Sequence, residues 1–140
     1  PVRTNFDALN TYEVTRQGSK VAVLALGDFY DLGEKTVEAL SSTLGIEATL
    51  VKPYFASGVD QNLLDNLVKD HDVIVTIEDG IIEGGWGQNI ASYLGTSSAR
   101  VLNYGVKKAF YDRVNIADLM RESHLDPELI AVDIKQVLGL

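Results

Sequence analysis

Four apolar runs punctuate the chain: Val21–Leu26, Ala48–Val51, Val73–Ile77 and Val101–Tyr104. Three of the four are continuous rather than alternating, which predicts strands covered on both faces, as in parallel sheets. A shorter segment, Tyr12-Glu13-Val14, precedes the turn Arg16-Gln17-Gly18-Ser19, and its polar neighbours predict an edge strand. Amphipathic stretches fill the gaps. Val37, Leu40 and Leu44 recur at helical spacing, with Asp31 and Glu34 as an N-cap and its reciprocal partner or the start a turn earlier, and Gly45 in a left-handed C-cap. Leu63, Leu64, Leu67 and Val68 form a second helix behind an Asp60 N-cap. A third follows the cluster Gly84-Gly85-Trp86-Gly87 and carries Ile90, Tyr93 and Leu94; short helices are expected at 116–121 and 126–138. Strand and helix alternating through short connections predict an α/β domain, with a mostly parallel sheet and helices on both sides.

The 140 residues suit one domain with one core. Residues 1–11 read as a linker and 12–140 as the domain. A net charge of −8 makes nucleic acid and anionic membrane poor partners. No apolar run approaches the ~20 residues of a membrane helix, and no signal-peptide pattern opens the chain. The absence of cysteine removes disulfides, thiolate catalysis and cysteine metal sites, and fits a cytoplasmic location. Pro1 stands first without a methionine, so either the initiator was removed or the segment was cut from a longer chain.

In open α/β sheets, ligands bind beyond the carboxyl ends of the strands. Glu78 and Asp79 lie at one such end, but neighbours in extended chain point to opposite faces and do not converge on one ion. They read as a solvated turn or as an acid serving a nearby helix N-terminus. The glycine cluster matches neither the dinucleotide fingerprint nor the Walker loop, so close packing of loop and helix explains it better than phosphate binding. Trp86 is either a core plug or a contact with a neighbouring domain. His71 and His124 are expected at the surface, without a zinc site or a triad. Lys107 and Lys108 form a solvated pair able to attract an anion. On the residues alone, a flavodoxin- or receiver-like anion or nucleotide module is the competing reading, although Gly27-Asp28-Phe29-Tyr30 is a poor phosphate loop.

The segment from Val75 to Gly87 joins a hydrophobic strand to Glu78-Asp79-Gly80, a short apolar step and Gly84-Gly85-Trp86-Gly87 at a helix start. It resembles the C-terminal domain of the transketolase superfamily, especially the 1-deoxy-D-xylulose-5-phosphate synthases. Val21–Gly27 with Leu32-Gly33, Phe55 with Val59-Asp60 and Leu63-Leu64, and His124-Leu125-Asp126 fall in the family's order. Pro1-Val2-Arg3 resembles the exit from a preceding pyrimidine-binding domain. The resemblance implies a three-layer α/β/α fold around a five-stranded mixed sheet with an antiparallel edge strand.

It also implies a non-catalytic assembly domain of a thiamine-diphosphate-dependent transferase that moves a two-carbon unit to an aldehyde acceptor. Thiamine diphosphate and Mg²⁺ would sit between the other two domains, since the diphosphate motif is missing here. The expected partners are preceding domains of the same chain and, in the parent, a second copy in a homodimer. Contacts between domains are expected at Glu78, Asp79, Gly84, Gly85, Trp86 and Gly87, and no catalytic residue or metal ligand in this segment. Tyr54 stands where the resemblance implies a phosphate-binding Arg, and a phenol cannot replace a bidentate cation. Gly105-Val106-Lys107-Lys108 replaces the family's Gly-Ile-Pro-Asp, and no His-Gly follows Phe110. Tyr54, Lys107 and Lys108 are therefore candidates for the substrate-channel rim, and the parent's acceptor is expected to differ from glyceraldehyde phosphate.

Overall fold

The computed structural model describes residues 11–54, 58–81, 85–106 and 125–140. Within them the chain runs β1 (Glu13–Arg16), β2 (Lys20–Ala25), a 3-10 turn (Gly27–Phe29), α1 (Tyr30–Leu44), β3 (Thr49–Lys52), α2 (Gln61–Leu67), β4 (His71–Ile81), α3 (Trp86–Tyr93), β5 (Arg100–Val106) and α4 (Pro127–Leu138). The strands form one sheet in the order β1-β3-β2-β4-β5. β2 pairs in parallel with β3 and β4, β4 pairs in parallel with β5, and β1 closes the edge antiparallel to β3. All five predicted strands are present. The helix expected at 116–121 lies outside the described residues, as does His124.

The continuous apolar runs bury both of their faces. Val21, Val23 and Ala25 of β2 join Val73, Val75 and Ile77 of β4 beneath α1 and α4. Ala22 and Leu24, with Ile74, pack under α2 and α3 on the other face. Two cores on opposite sides of one sheet make the three layers. Burying each large aliphatic side chain here contributes about 1.5–3 kcal/mol.

The helix ends follow local chemistry. α1 starts at Tyr30, two residues before the start that an Asp31 N-cap would give, because the Gly27–Phe29 turn feeds directly into it. It stops at Gly45, whose φ of 67° is left-handed. Asp60 caps α2 by accepting from the Leu63 amide at 3.1 Å, and its other carboxylate oxygen accepts from the Tyr12 amide at 2.9 Å. Asp126 caps α4 through the amides of Glu128 and Leu129, with Pro127 following it in the first turn.

His71 is a correction to the sequence reading: it is buried, 2% exposed, at the start of β4. Its Nδ1 lies 2.8 Å from the Leu67 carbonyl and 2.7 Å from an Asp70 carboxylate oxygen, so that nitrogen carries the proton. Its Nε2 meets the Thr49 hydroxyl at 2.7 Å, and that hydroxyl accepts from the Gly18 amide at 2.9 Å. The ring thus ties α2, β3 and the β1–β2 turn together. Its place just before a strand suggested solvent, but backbone and side-chain partners satisfy both ring nitrogens inside the fold.

Tyr104 of β5 anchors α4: its buried hydroxyl donates to Asp133 at 2.7 Å. Burial first, then the hydrogen bond to Asp133 and that residue's charge, push the phenol well above its ordinary value. Burial likewise raises Tyr12. A phenol whose pKa is higher folded than unfolded favours the folded state fully below the unfolded value of about 10, and this contribution is lost as pH rises through the folded value. Urea unfolding should therefore show stability falling above about pH 10, by up to about 1.4 kcal/mol per pH unit for each such phenol. Tyr104→Phe should flatten that fall; an unchanged slope would refute this role.

Candidate functional site

The carboxyl end of β4 has a polar interior. Side chains alternate along a strand, so Ile74, Thr76 and Glu78 share the face that meets α3. Thr76 and Glu78 are buried, 0% and 4% exposed. The Thr76 hydroxyl donates to Asn103 Oδ1 of β5 at 2.6 Å. Glu78 turns its carboxylate to the start of α3. Its Oε1 accepts from the Trp86 amide at 3.2 Å and its Oε2 from the Gly87 amide at 2.7 Å.

The first amides of a helix have no partners within the helix, and its N-terminus carries partial positive charge. A carboxylate from β4 satisfies both conditions at once. Gly85, the extended residue before α3, offers no side chain for that task. Of the two readings of the acid pair, Glu78 therefore follows the second, as an acid serving a helix N-terminus. Asp79 continues the β4 backbone, and Gly84 lies outside the described residues.

Gly87 follows from this geometry. A Cβ built there would stand 2.5 Å from Thr76 Oγ1, 2.8 Å from Glu78 Oε2 and 2.9 Å from Asn103 Oδ1. Only a residue without a side chain lets α3 settle onto the polar group below it. This is the close packing expected of the cluster, with a carboxylate where a phosphate would otherwise sit.

Trp86 is 2% exposed and takes the core placement. Its indole N–H donates to Tyr12 Oη at 3.0 Å, with the two rings edge to face at 6.2 Å. Tyr12 Oη donates in turn to the Gly58 carbonyl at 2.6 Å. The residue that leads into β1 is thus bound to α3, to the loop before α2 and, through Asp60, to α2 itself.

Tyr54 lies apart from this buried group and is 53% exposed. Its hydroxyl donates to the Glu13 carboxylate, and that bond, followed by desolvation and the Glu13 charge, raises the phenol. Lys52 extends its ammonium over the rings of Tyr30 and Tyr54, 5.2 Å and 5.9 Å from their centroids. The Tyr54 hydroxyl is therefore committed to an anion. Lys107 and Lys108 lie outside the described residues.

Among the described residues, the α3 N-terminus does not form a seat for thiamine diphosphate. The α3 N-terminus carries its own carboxylate, which would repel a diphosphate. Among the described residues, no three His, Asp or Glu side chains come together as a metal site.

The family description "Transketolase, C-terminal domain" matches residues 10–130. The 1-deoxy-D-xylulose-5-phosphate synthase of Pseudoalteromonas translucida (strain TAC 125) is 36% identical over 129 residues, covering 91% of this chain and 20% of the relative. That of Vibrio vulnificus (strain CMCP6) is 32% identical over 143 residues, covering 99% of this chain and 22% of the relative. The chain thus spans about a fifth of the length of these relatives. A solved structure described as a split gene transketolase, inactive beta4 tetramer, superposes with a TM-score of 0.79 at 23% identity, covering 94% of this chain and 42% of that one. A transketolase mutant from Pichia stipitis gives 0.64 at 15% identity, covering 98% and 19%. The two solved structures establish likeness of fold. Together the matches favour the transketolase reading over the flavodoxin- or receiver-like one.

Replacing Glu78 tests the site. Glu78→Ala leaves the Trp86 and Gly87 amides without their acceptor in a buried place, at a cost of about 1–3 kcal/mol for each unsatisfied group. Glu78→Gln keeps one carbonyl acceptor and should fall between Ala and the parent sequence. Urea unfolding followed through the fluorescence of Trp86 measures the order; equal stability of Ala and parent would contradict the capping role.

Proposed function

Because the chain belongs to the transketolase C-terminal domain family, we propose that it serves as the non-catalytic assembly domain of a thiamine-diphosphate-dependent transferase of the transketolase and 1-deoxy-D-xylulose-5-phosphate synthase type. The parent transfers a two-carbon unit to an aldehyde acceptor, with cofactor and Mg²⁺ held by domains that precede residues 12–140, in a cytoplasmic homodimer. The observation that carries this reading is Glu78 at the start of α3. One helix terminus able to receive a phosphate at the carboxyl end of the sheet is filled by the chain's own acid. That suits a domain that shapes and joins rather than one that holds the cofactor.

Two further observations support it. Tyr12 is bound to Trp86, Gly58 and Asp60, which gives the incoming chain a fixed point of attachment at the carboxyl end of the sheet. The split transketolase of like fold is described as inactive in its β4 assembly. The Tyr54 hydroxyl, bonded to Glu13 where an Arg would bind phosphate, favours an acceptor other than glyceraldehyde phosphate.

Calorimetric titration of the 140-residue chain with thiamine diphosphate and Mg²⁺ should give no saturable heat. The same titration of a chain that also carries the cofactor-holding domains should give a binding isotherm. Saturable micromolar binding by the 140-residue chain alone would overturn the proposal.

A further inference from the structure

On the far side of the sheet edge, α1 and β1 enclose a cleft of about 230 Å³ lined by Thr15, Arg16, Tyr30, Glu34, Val37, Glu38 and Leu50. Tyr30, Glu34, Val37 and Glu38 fall on one face of α1 through their spacing. The β1–β3 register shifts between Val14 and Arg16, so two successive residues, Thr15 and Arg16, both reach the cleft. Val37 and Leu50 are buried and make an apolar floor. Tyr30 and Thr15 close one wall through a 2.6 Å hydroxyl–hydroxyl bond.

The charges at this cleft are unevenly matched. Arg16 Nη2 is held by Glu47 at 2.8 Å, and Lys52 lies over the Tyr30 ring. Glu34 and Glu38 are exposed, one helical turn apart, and among the described residues they have neither a hydrogen bond nor an ion pair. Two uncompensated carboxylates above an apolar floor complement a methylene stem with a cationic head. A bare metal ion would make no use of the floor. The volume is below the roughly 300–1,000 Å³ of small-molecule pockets, which suits one side chain better than a whole metabolite. β1 ends the sheet order, and its residues, including Val14, are exposed, so the backbone of a docking segment can lie beside it. The net charge of −8 adds a general attraction for basic partners.

We propose that this cleft is a docking pocket for one lysine or arginine side chain of a partner polypeptide, with the stem on Val37 and Leu50 and the head between Glu34 and Glu38. The site is independent of the reading given above for the carboxyl end of the sheet. The test is a titration of the ¹⁵N-labelled chain with the peptide Ac-Ala-Arg-Ala-NH₂, followed by amide shifts. Saturable shifts should centre on Thr15, Arg16, Glu34, Val37 and Glu38. Affinity should fall about tenfold or more in the Glu34→Gln/Glu38→Gln variant, and equally when citrulline, a neutral isostere, replaces arginine. Circular dichroism of the variant checks that these two exposed changes leave the fold intact. Shifts scattered over the acidic surface without saturation, or equal affinity of variant and parent, would overturn the pocket. Free arginine binding as tightly as the peptide would overturn the polypeptide as its occupant.

Discussion

One carboxylate near the carboxyl end of β4 settles how that edge of the domain is built. Glu78 accepts from the first two amides of α3, and most of the neighbouring arrangement answers to that contact. α3 must approach β4 closely for the carboxylate to reach both amides, so Gly87 has no room for a side chain. Trp86, the residue between Gly85 and Gly87, is thereby brought into the core beside Tyr12. Tyr12 in turn holds the path by which the chain enters the edge strand. Burying a carboxylate is costly unless it is fully hydrogen-bonded. Here its partners are amides that need an acceptor, so each group removes the other's penalty.

The opposite end of the sheet uses the same principle with a buried histidine. His71 lies among Thr49, the Leu67 carbonyl and Asp70, and reaches the Gly18 turn through the Thr49 hydroxyl. Between these two polar fastenings, the middle of the sheet is apolar on both faces. Hydrophobic burial supplies most of the stability, and the polar groups at either end determine which helix sits where.

Much of the fold was legible in the sequence because the two-faced burial of β2 and β4 leaves an unbroken apolar run, and because Gly45, Asp60 and Asp126 carry recognisable capping chemistry. The antiparallel setting of β1 came from family resemblance rather than from periodicity, since a four-residue exposed strand has almost no pattern of its own. The site was half legible. Glu78 could be assigned to a helix terminus by its position before a glycine cluster. The even-numbered face joining Ile74, Thr76 and Glu78 was also present as a period of two, but an apolar run hides a single threonine. Neither the Tyr12–Trp86 bond nor the burial of His71 had a local signal: both join elements far apart in the chain. The cleft beside β1 likewise arises from the packing of a helix against a strand edge.

A domain organised in this way has a self-satisfied polar group at the carboxyl end of β4, as the proposed assembly role requires. That account depends on the α3 amides being closed by Glu78. Amide hydrogen exchange at Trp86 and Gly87, read by NMR, tests it most directly. Both protons should be protected to an extent comparable with the amides of β4, although neither has a partner within the helix. Exchange at the rate of open, solvent-bonded helix-start amides would contradict it.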